Sequence, residues 1–470
     1  MSDQTKCKKV LGAPDGGWGY LIGIATIINF TLTAGFMSCF GILYNEFIEK
    51  LKIGSATVVL ITGANAMSVA VSGFLTSPLL KVMKFRLLAF VAASLFNIGC
   101  LGNIFANSII PFFVCQSVLQ GFGFGILYNL TCTLFNEYFV KKRFFAMGVV
   151  QTFTAIFTMG IPILLNTTLN LYGYRGTLMI ISALTMNLFV AIVLMQPVKW
   201  HMKLIEAPHE TEEAKSLLLK NDNEGIPIIK IIDIERNPPT EDKNITDDVK
   251  KLPVTEDKVS APMKLIKEMF DVYLLKSFLP TYASLGVTMA LLADFVTTVM
   301  LPQTLYAANW SEDDTAIAMS VMSFGDLSAR VFFILSSKCI KLPNKELHMI
   351  GVVIAILPRI GFLLTKNLYA VLGLLFVVGV SRCFLTTLIP LIIADAVSSD
   401  KFTSAMGMFM MLMGVSNLSL GSVVGAIRDL TGTYDTIVWI SAIFLIFTIT
   451  QGLIEKYCLE CRHKKKCQEQ

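Results

Sequence analysis

Charge is what this chain has least of. Asp, Glu, Lys and Arg make up 16% of its 470 residues, against about 25% in a typical soluble domain, which excludes a water-soluble globular chain. Histidine is scarce, with four residues, none in the middle of an apolar stretch. No loop carries a nucleophile–base motif either, so no catalytic constellation stands out and an enzyme is not expected. Period-two alternation is missing from the apolar stretches, which argues against a β-barrel. The ten cysteines offer no disulfide framework, because Cys39, Cys100, Cys115, Cys132 and Cys383 lie inside apolar stretches. Cys458, Cys461 and Cys467 follow the last such stretch beside His463 and read as juxtamembrane thiols, open to acylation, before they read as a metal site. No cofactor and no metal are expected.

Apolar residues are what is there, at 54% of the chain. Stretches at 18–44, 55–80, 87–106, 109–135, 144–168 and 177–197 are followed by 273–307, 315–337, 347–365, 368–397, 402–427 and 434–455. At about 20 residues per helical crossing these are twelve spans, six and six. Lys6, Lys8 and Lys9 precede Pro14-Asp15 with no cleavable small-residue site, so no signal peptide is read. Alternate connections carry 18 Lys and Arg on one side and five on the other (Lys50, Lys52, Arg175, Lys366, Arg428). The positive-inside bias then makes both termini cytoplasmic. The net charge of +5 needs no nucleic-acid partner. The expected division is a cytoplasmic N-terminus 1–17, a six-helix half 18–197, a linker 198–272, a second half 273–455 and a cytoplasmic C-terminus 456–470. The linker mixes Lys, Glu and Asp around Pro238-Pro239 and is expected to be a mostly disordered tether. Asn309-Trp310-Ser311 fits the glycosylation pattern in an outer loop.

The halves are related. A shift of 259 residues pairs Ala146-Met147-Gly148 with Ala405-Met406-Gly407 and Ile181-Ser182-Ala183 with Ile440-Ser441-Ala442. Over 142–183 against 401–442 it gives 10 identities without a gap. An even number of helices per repeat keeps both copies in one orientation, as in the parallel repeats of major facilitator transporters, whose site lies at mid-membrane between the halves. The expected fold is therefore an all-α membrane protein of twelve helices in two parallel repeats.

Six ionisable residues of the second half fall within spans: Asp294, Asp326, Arg330, Arg359, Arg382 and Asp395. Each costs about 2.5–3.5 kcal/mol at a helix centre on insertion scales, so they should face the bundle interior or a cavity. Asp326 and Arg330, four apart, share a helix face. Arg330 can offer a two-pronged donor to a carboxylate, which makes it the candidate substrate anchor, with Asp326 controlling it. Asp326 and Asp294 are the candidates for proton coupling. Arg359 and Arg382 are read as structural or gating charges that balance an Asp on a neighbouring helix. Asp395 and Glu137, at equivalent span ends beside Arg143, are read as gate contacts. The Gly121, Gly123 and Gly125 run has no preceding strand and is read as close helix packing; the methionines Met406, Met408, Met410, Met411 and Met413 are read as bundle packing.

Several motifs resemble the monocarboxylate transporter family. These are Pro14-Asp15-Gly16-Gly17-Trp18-Gly19-Tyr20, Tyr138-Phe139-Val140-Lys141-Lys142-Arg143 followed by Ala146 and Gly148, and Tyr172-Gly173-Tyr174-Arg175-Gly176. Phe324-Gly325-Asp326-Leu327-Ser328-Ala329-Arg330 and Lys401-Phe402-Thr403-Ser404-Ala405-Met406-Gly407 complete the set. The resemblance implies a plasma-membrane carrier of small carboxylates or related organic solutes working by alternating access, as a symporter or a facilitative carrier. Its partners would be the solute, the lipid bilayer, a proton in coupled members and a single-pass immunoglobulin-type ancillary subunit. In proton-coupled members a span-one Lys works with the span-eight Asp and Arg. Here that position is Ser38, and span one has no Lys. A proton-independent carrier of amino-acid-like, thyroid-hormone-like or creatine-like solutes is therefore the alternative; Ser38, Tyr44 and Asn129 are expected to shape the pocket. From another class, a non-transporting sensor or scaffold acting through the linker remains the rival. Span five departs from the family pattern at Thr152-Phe153, where an Ala-Gly pair is expected.

Overall fold

A computed structural model of the chain describes residues 9–36, 39–52, 55–206, 276–337, 339–340, 342–365, 367–431 and 435–468. Ser38, residues 207–275, which hold most of the expected linker and the start of the expected second half, and the side chains of Cys461, His463 and Cys467 lie outside the described residues. Ten helical stretches there are long and apolar enough to cross a bilayer. One of them, Arg143–Leu194, has 52 residues and holds two crossings, because Gly173 leaves the helical region with φ 66° and ψ −177°. The 21-residue helix Asn344–Leu364, about 30 Å long at 1.5 Å per residue, supplies another. The total is the twelve that hydropathy predicts.

Span one runs Trp18–Phe30 through a π-helical turn, Thr31–Gly35, and resumes as Phe40–Lys50. Spans two and three are Ser55–Val82 and Phe85–Phe105; span four runs Ile109–Phe113, Val114–Leu119 and Gln120–Tyr138. Spans five and six share Arg143–Thr185, and Asn187–Leu194 completes six. The second half holds span seven (Tyr282–Gly286, Val287–Ala307), eight (Glu312–Ser336), nine (Asn344–Leu364), ten (Leu368–Thr387, Ile389–Ala396), eleven (Phe402–Thr431) and twelve (Asp435–Gln468). Span ten breaks at Leu388 because Pro390 has no N–H to continue the ladder.

Helices five and eleven start at Arg143 and Phe402, separated by the same 259 residues that align the repeat. The halves meet through span two on span eleven and span five on span eight. Adding six to a span number exchanges two with eight and five with eleven, so the two contacts are copies of each other under the repeat symmetry. Close approach is built on glycine. A Cβ on Gly407 would lie 2.7 Å from the Gly73 carbonyl oxygen across the seam, one on Gly121 2.7 Å from Ser68 Cβ of span two, and one on Gly123 2.7 Å from the Ala92 carbonyl oxygen of span three. The Gly121–Gly125 run is thus helix packing, and Met406, Met408 and Met410 are buried in the core.

The end of the bundle that carries Lys141, Lys142 and Arg143, the basic end, is clasped by the motif that opens span one. Asp15 accepts backbone N–H bonds from Val140 at 2.8 Å and Lys141 at 3.0 Å. Gly17 takes φ 60°, where a side chain would be strained. Trp18 Nε1 donates to the Leu194 carbonyl at 3.1 Å, and its ring stacks on His201 at 4.8 Å. Lys9–Gly12 and Lys203–Glu206 pair as a short antiparallel ribbon. The all-α expectation missed it because two four-residue strands outside the spans leave no hydropathy signal.

Candidate functional site

Asp326 and Arg330, one turn apart on span eight, form the expected pair. Arg330 Nε donates to Oδ1 and Oδ2 of Asp326, both at 3.1 Å. Nη1 donates to Thr387 Oγ1 at 3.1 Å and to Gln151 Oε1 at 3.3 Å, and Nη2 to Thr386 Oγ1 at 3.2 Å. Of the five N–H groups of a guanidinium, four are engaged, and the side chain is 9% exposed. Because Gln151 belongs to span five, this cation bridges the two halves. Sequence reasoning passed over Gln151, Thr386 and Thr387; the available signal was an amide within a largely apolar span, which in lipid should face another helix.

A second group of charges lies one layer away in the same half. Arg382 of span ten pairs through Nε with Asp294 Oδ2 of span seven at 3.4 Å. Arg359 of span nine donates from Nε and Nη2 to Thr297 Oγ1 at 3.3 and 3.2 Å and from Nη1 to the Ala355 carbonyl at 2.7 Å. It also lies within electrostatic reach of Asp294. Asp294 thus lies near two cations, ion-paired with Arg382 and within electrostatic reach of Arg359. Asp294 Oδ1 is buried without a hydrogen bond.

Two expected pocket residues are placed elsewhere. Tyr44 is 3% exposed inside the first half. Its hydroxyl donates to Gln116 Oε1 at 2.8 Å and accepts from Asn103 Nδ2 at 3.0 Å, and its ring packs on Phe112 at 4.9 Å. The π-helical turn Thr31–Gly35 shifts the helix face, so counting along a straight helix misplaces this side chain. Asn129 is fully buried, donating to the Gly73 carbonyl at 2.8 Å and the Thr403 carbonyl at 3.2 Å. With Thr133–Thr403 at 3.1 Å and Ser77–Ser404 at 2.6 Å, it bolts spans two, four and eleven together at the basic end. Ser38 lies outside the described residues.

The gate candidates gather at that same end. Arg143 donates to the carbonyls of Phe139 at 2.9 Å and Asn136 at 3.3 Å, where a cation complements the helix C-terminus of span four. It lies within electrostatic reach of Asp395 across the seam. Asp395 accepts from Asn344 at 2.7 Å. Glu137 is exposed and within reach of Lys199 and of Asp400 in the other half. Two pockets, of about 440 and 370 Å³, each lie wholly within one half, beside Arg359 and beside Tyr44. Neither is lined from both sides of the seam, so the seam charges mark the site better than pocket size does.

Residues 23–264, more than half of the chain, match the family model described as Major Facilitator Superfamily. Monocarboxylate transporter 6 of Mus musculus is 22% identical over 445 residues, covering 93% of this chain and 86% of that protein. Monocarboxylate transporter 1 of Homo sapiens is 24% identical over 457 residues, covering 93% and 84%. Monocarboxylate transporter 12-B of Danio rerio is 22% identical over 473 residues, covering 98% and 92%. Among solved structures, the Major Facilitator Superfamily transporter FucP in the outward conformation superposes with a TM-score of 0.60 at 13% identity, over 93% of this chain and 98% of that one. This likeness is one of fold.

Proposed function

The chain belongs to the Major Facilitator Superfamily, and from that premise we propose that it carries a small monocarboxylate or a related organic solute between its two halves. It is a multi-pass membrane transporter that works by alternating access. The solute class rests on one observation. Among the described residues of the mid-span interior of the second half, Arg330, Arg359 and Arg382 are met by Asp294 and Asp326, an excess of one positive charge. A permanent cation in that setting is costly until an anion meets it. A solute with one carboxylate brings the interior to neutrality, and the curated relatives that match over most of the chain bear the name of monocarboxylate carriers.

Rocking of the halves then exchanges access. The bolts at Asn129, Ser77 and Thr403 and the charges Arg143, Asp395 and Glu137 are contacts that rocking must break when the basic end opens. With that end in the cytoplasm, this structure is closed on the cytoplasmic side. We place the carrier in the plasma membrane with both termini inside, with an immunoglobulin-type single-pass subunit as its candidate escort. Position 38 is Ser and residues 18–44 hold no Lys, which favours proton-independent transport of amino-acid-like or creatine-like solutes over proton symport; Asp326 and Asp294 are the groups through which coupling would have to run.

Uptake of labelled L-lactate, L-phenylalanine and creatine into proteoliposomes at acid and neutral outer pH tests the reading. Saturable uptake of at least one carboxylate, unchanged between the two pH values, is the expected result. A carrier that moves none of them would overturn it in favour of a sensor or scaffold, and proton flux on solute addition would restore symport.

A further inference from the structure

Three arginines share the interior of the second half, yet they are not equally free. Arg330 has four of its five N–H groups taken. Arg359 is 2% exposed, and each of its nitrogens has a partner in Thr297 or the Ala355 carbonyl. Arg382 differs on both counts: its side chain is 36% exposed, and the one polar contact of that side chain among the described residues is the 3.4 Å ion pair from Nε to Asp294. Both Nη groups, the edge that fits a carboxylate with two parallel bonds, are left open.

The open edge faces the seam, not lipid. From Ser381 to Ala394 span ten is buried all round except at Arg382 and Thr386, which stand one turn apart on one face. Thr386 donates its hydroxyl to the Arg382 carbonyl at 2.9 Å and accepts from Arg330 Nη2. Arg330 in turn reaches Gln151 of the other half, so the face shared by Arg382 and Thr386 is the one turned to the space between the halves. Asp294 completes the arrangement. Only 6% of its side chain is exposed, it pairs with Nε, and its second oxygen is buried without a hydrogen bond, with Arg359 within electrostatic reach.

We propose that Arg382 is the residue that takes the carboxylate of the transported solute, that Asp294 positions it, and that Arg330 fastens the seam through Gln151. This rests on the reading of the chain as a carboxylate carrier and reassigns its anchor. The charge count among the described residues also sets the class: a net monoanion neutralises the interior, whereas a dicarboxylate overshoots it and a zwitterion leaves the excess in place, so singly charged acids are preferred.

Two measurements on the full-length protein decide the matter. In the first, purified protein is treated with the arginine reagent phenylglyoxal and the modified peptides are read by mass spectrometry, with and without sodium L-lactate, L-phenylalanine or creatine. Arg382 is expected to react ahead of Arg330 and Arg359, and at least one of the carboxylate probes to slow its reaction. Modification of Arg330 with Arg382 unreacted, or no protection by any of the probes, would sink the proposal. In the second, Arg382→Gln and Arg382→Lys are compared in proteoliposomes with the best-carried member of the panel. Loss of a two-pronged charge-assisted contact should raise KM about tenfold or more, with Arg382→Lys, which keeps the charge but loses the fork, in between. An unchanged KM in a Gln variant that elutes as a folded protein would refute the assignment. If the wild type carries nothing from the panel, the functional reading fails on its own, while probe protection in the labelling still decides whether Arg382 is the open anion anchor.

Discussion

The two halves descend from one repeat but bury different chemistry. In the first, the buried polar side chains are neutral: Asn29, Asn65, Asn97, Asn103, Gln116, Gln120 and Asn129, with threonines and serines among them. Several bond each other locally, as Tyr44, Gln116 and Asn103 do, or tie neighbouring helices, as Asn29 does to Thr131 at 2.5 Å and Thr185 to Asn97 at 2.8 Å. The mid-span interior of the second half holds five charges instead. An amide met by a partner stabilises a helix pair at little cost, whereas every charge must be offset by another one. Under the proposed function, the contrast assigns the first half the role of scaffold and the second that of meeting the solute.

The strongest way to break this comparison is Asp326→Asn. It leaves Arg330 buried at the seam with its counter-ion gone, a loss of about 3–5 kcal/mol, and uptake should fall below detection. The double variant Asp326→Asn with Arg330→Gln removes both charges and should recover much of the thermal stability in detergent while uptake stays lost. If the single variant melts like the wild type and still transports, the second half is no more specialised than the first.

How much of this could be read from the chain itself depends on distance. Twelve crossings were legible because each is decided by its own 20 residues, and the repeat because its copies keep identical triplets at one shift. Asp326 with Arg330 was legible because i, i+4 pairs lie on one face whatever the rest of the fold does. What stayed hidden is whatever depends on which way a helix is turned and what stands opposite. Gln151 lies 179 residues from Arg330, Asp294 lies on a different span from Arg382, and a pattern along either helix says nothing of the meeting. Tyr44 and Asn129 were expected to shape the pocket; the first lies in the core of the first half, and the second is tied to Gly73 and Thr403 at the seam.

A smaller effect sharpens the comparison from the other side. Gln116→Leu deletes the acceptor shared by Tyr44 and Asn103, whose donors lie 2.8 and 2.7 Å from it. Two buried donors lose a partner, which should cost about 1–3 kcal/mol of stability and lower the melting temperature. KM for the carried solute should not move, since the hub faces away from the seam. A tenfold rise in KM would show that the first half contributes to recognition and would dissolve the division of labour.

The smallest expected effect separates burial from charge itself. Lys456 and Glu346 pair at 3.1 Å across spans nine and twelve, but their side chains are 57% and 40% exposed. They are the same kinds of charge as in the interior, in the same half, left in contact with water. Solvent already stabilises each ion there, so the pair should contribute about 0–1 kcal/mol. Salt should screen what remains, because the Debye length shrinks to about 3 Å at 1 M. Glu346→Gln should therefore melt within a degree or so of the wild type at low salt, coincide with it at high salt and leave uptake untouched. The neighbouring pair is a control of intermediate burial: Lys345 and Glu455 are 27% and 31% exposed, and Glu455 also accepts the Tyr282 N–H at 2.7 Å. Glu455→Gln should accordingly cost more than Glu346→Gln and less than Asp326→Asn. An order that does not follow exposure would mean that something other than desolvation sets the interior charges apart, and the case for reading function from them would fall with it.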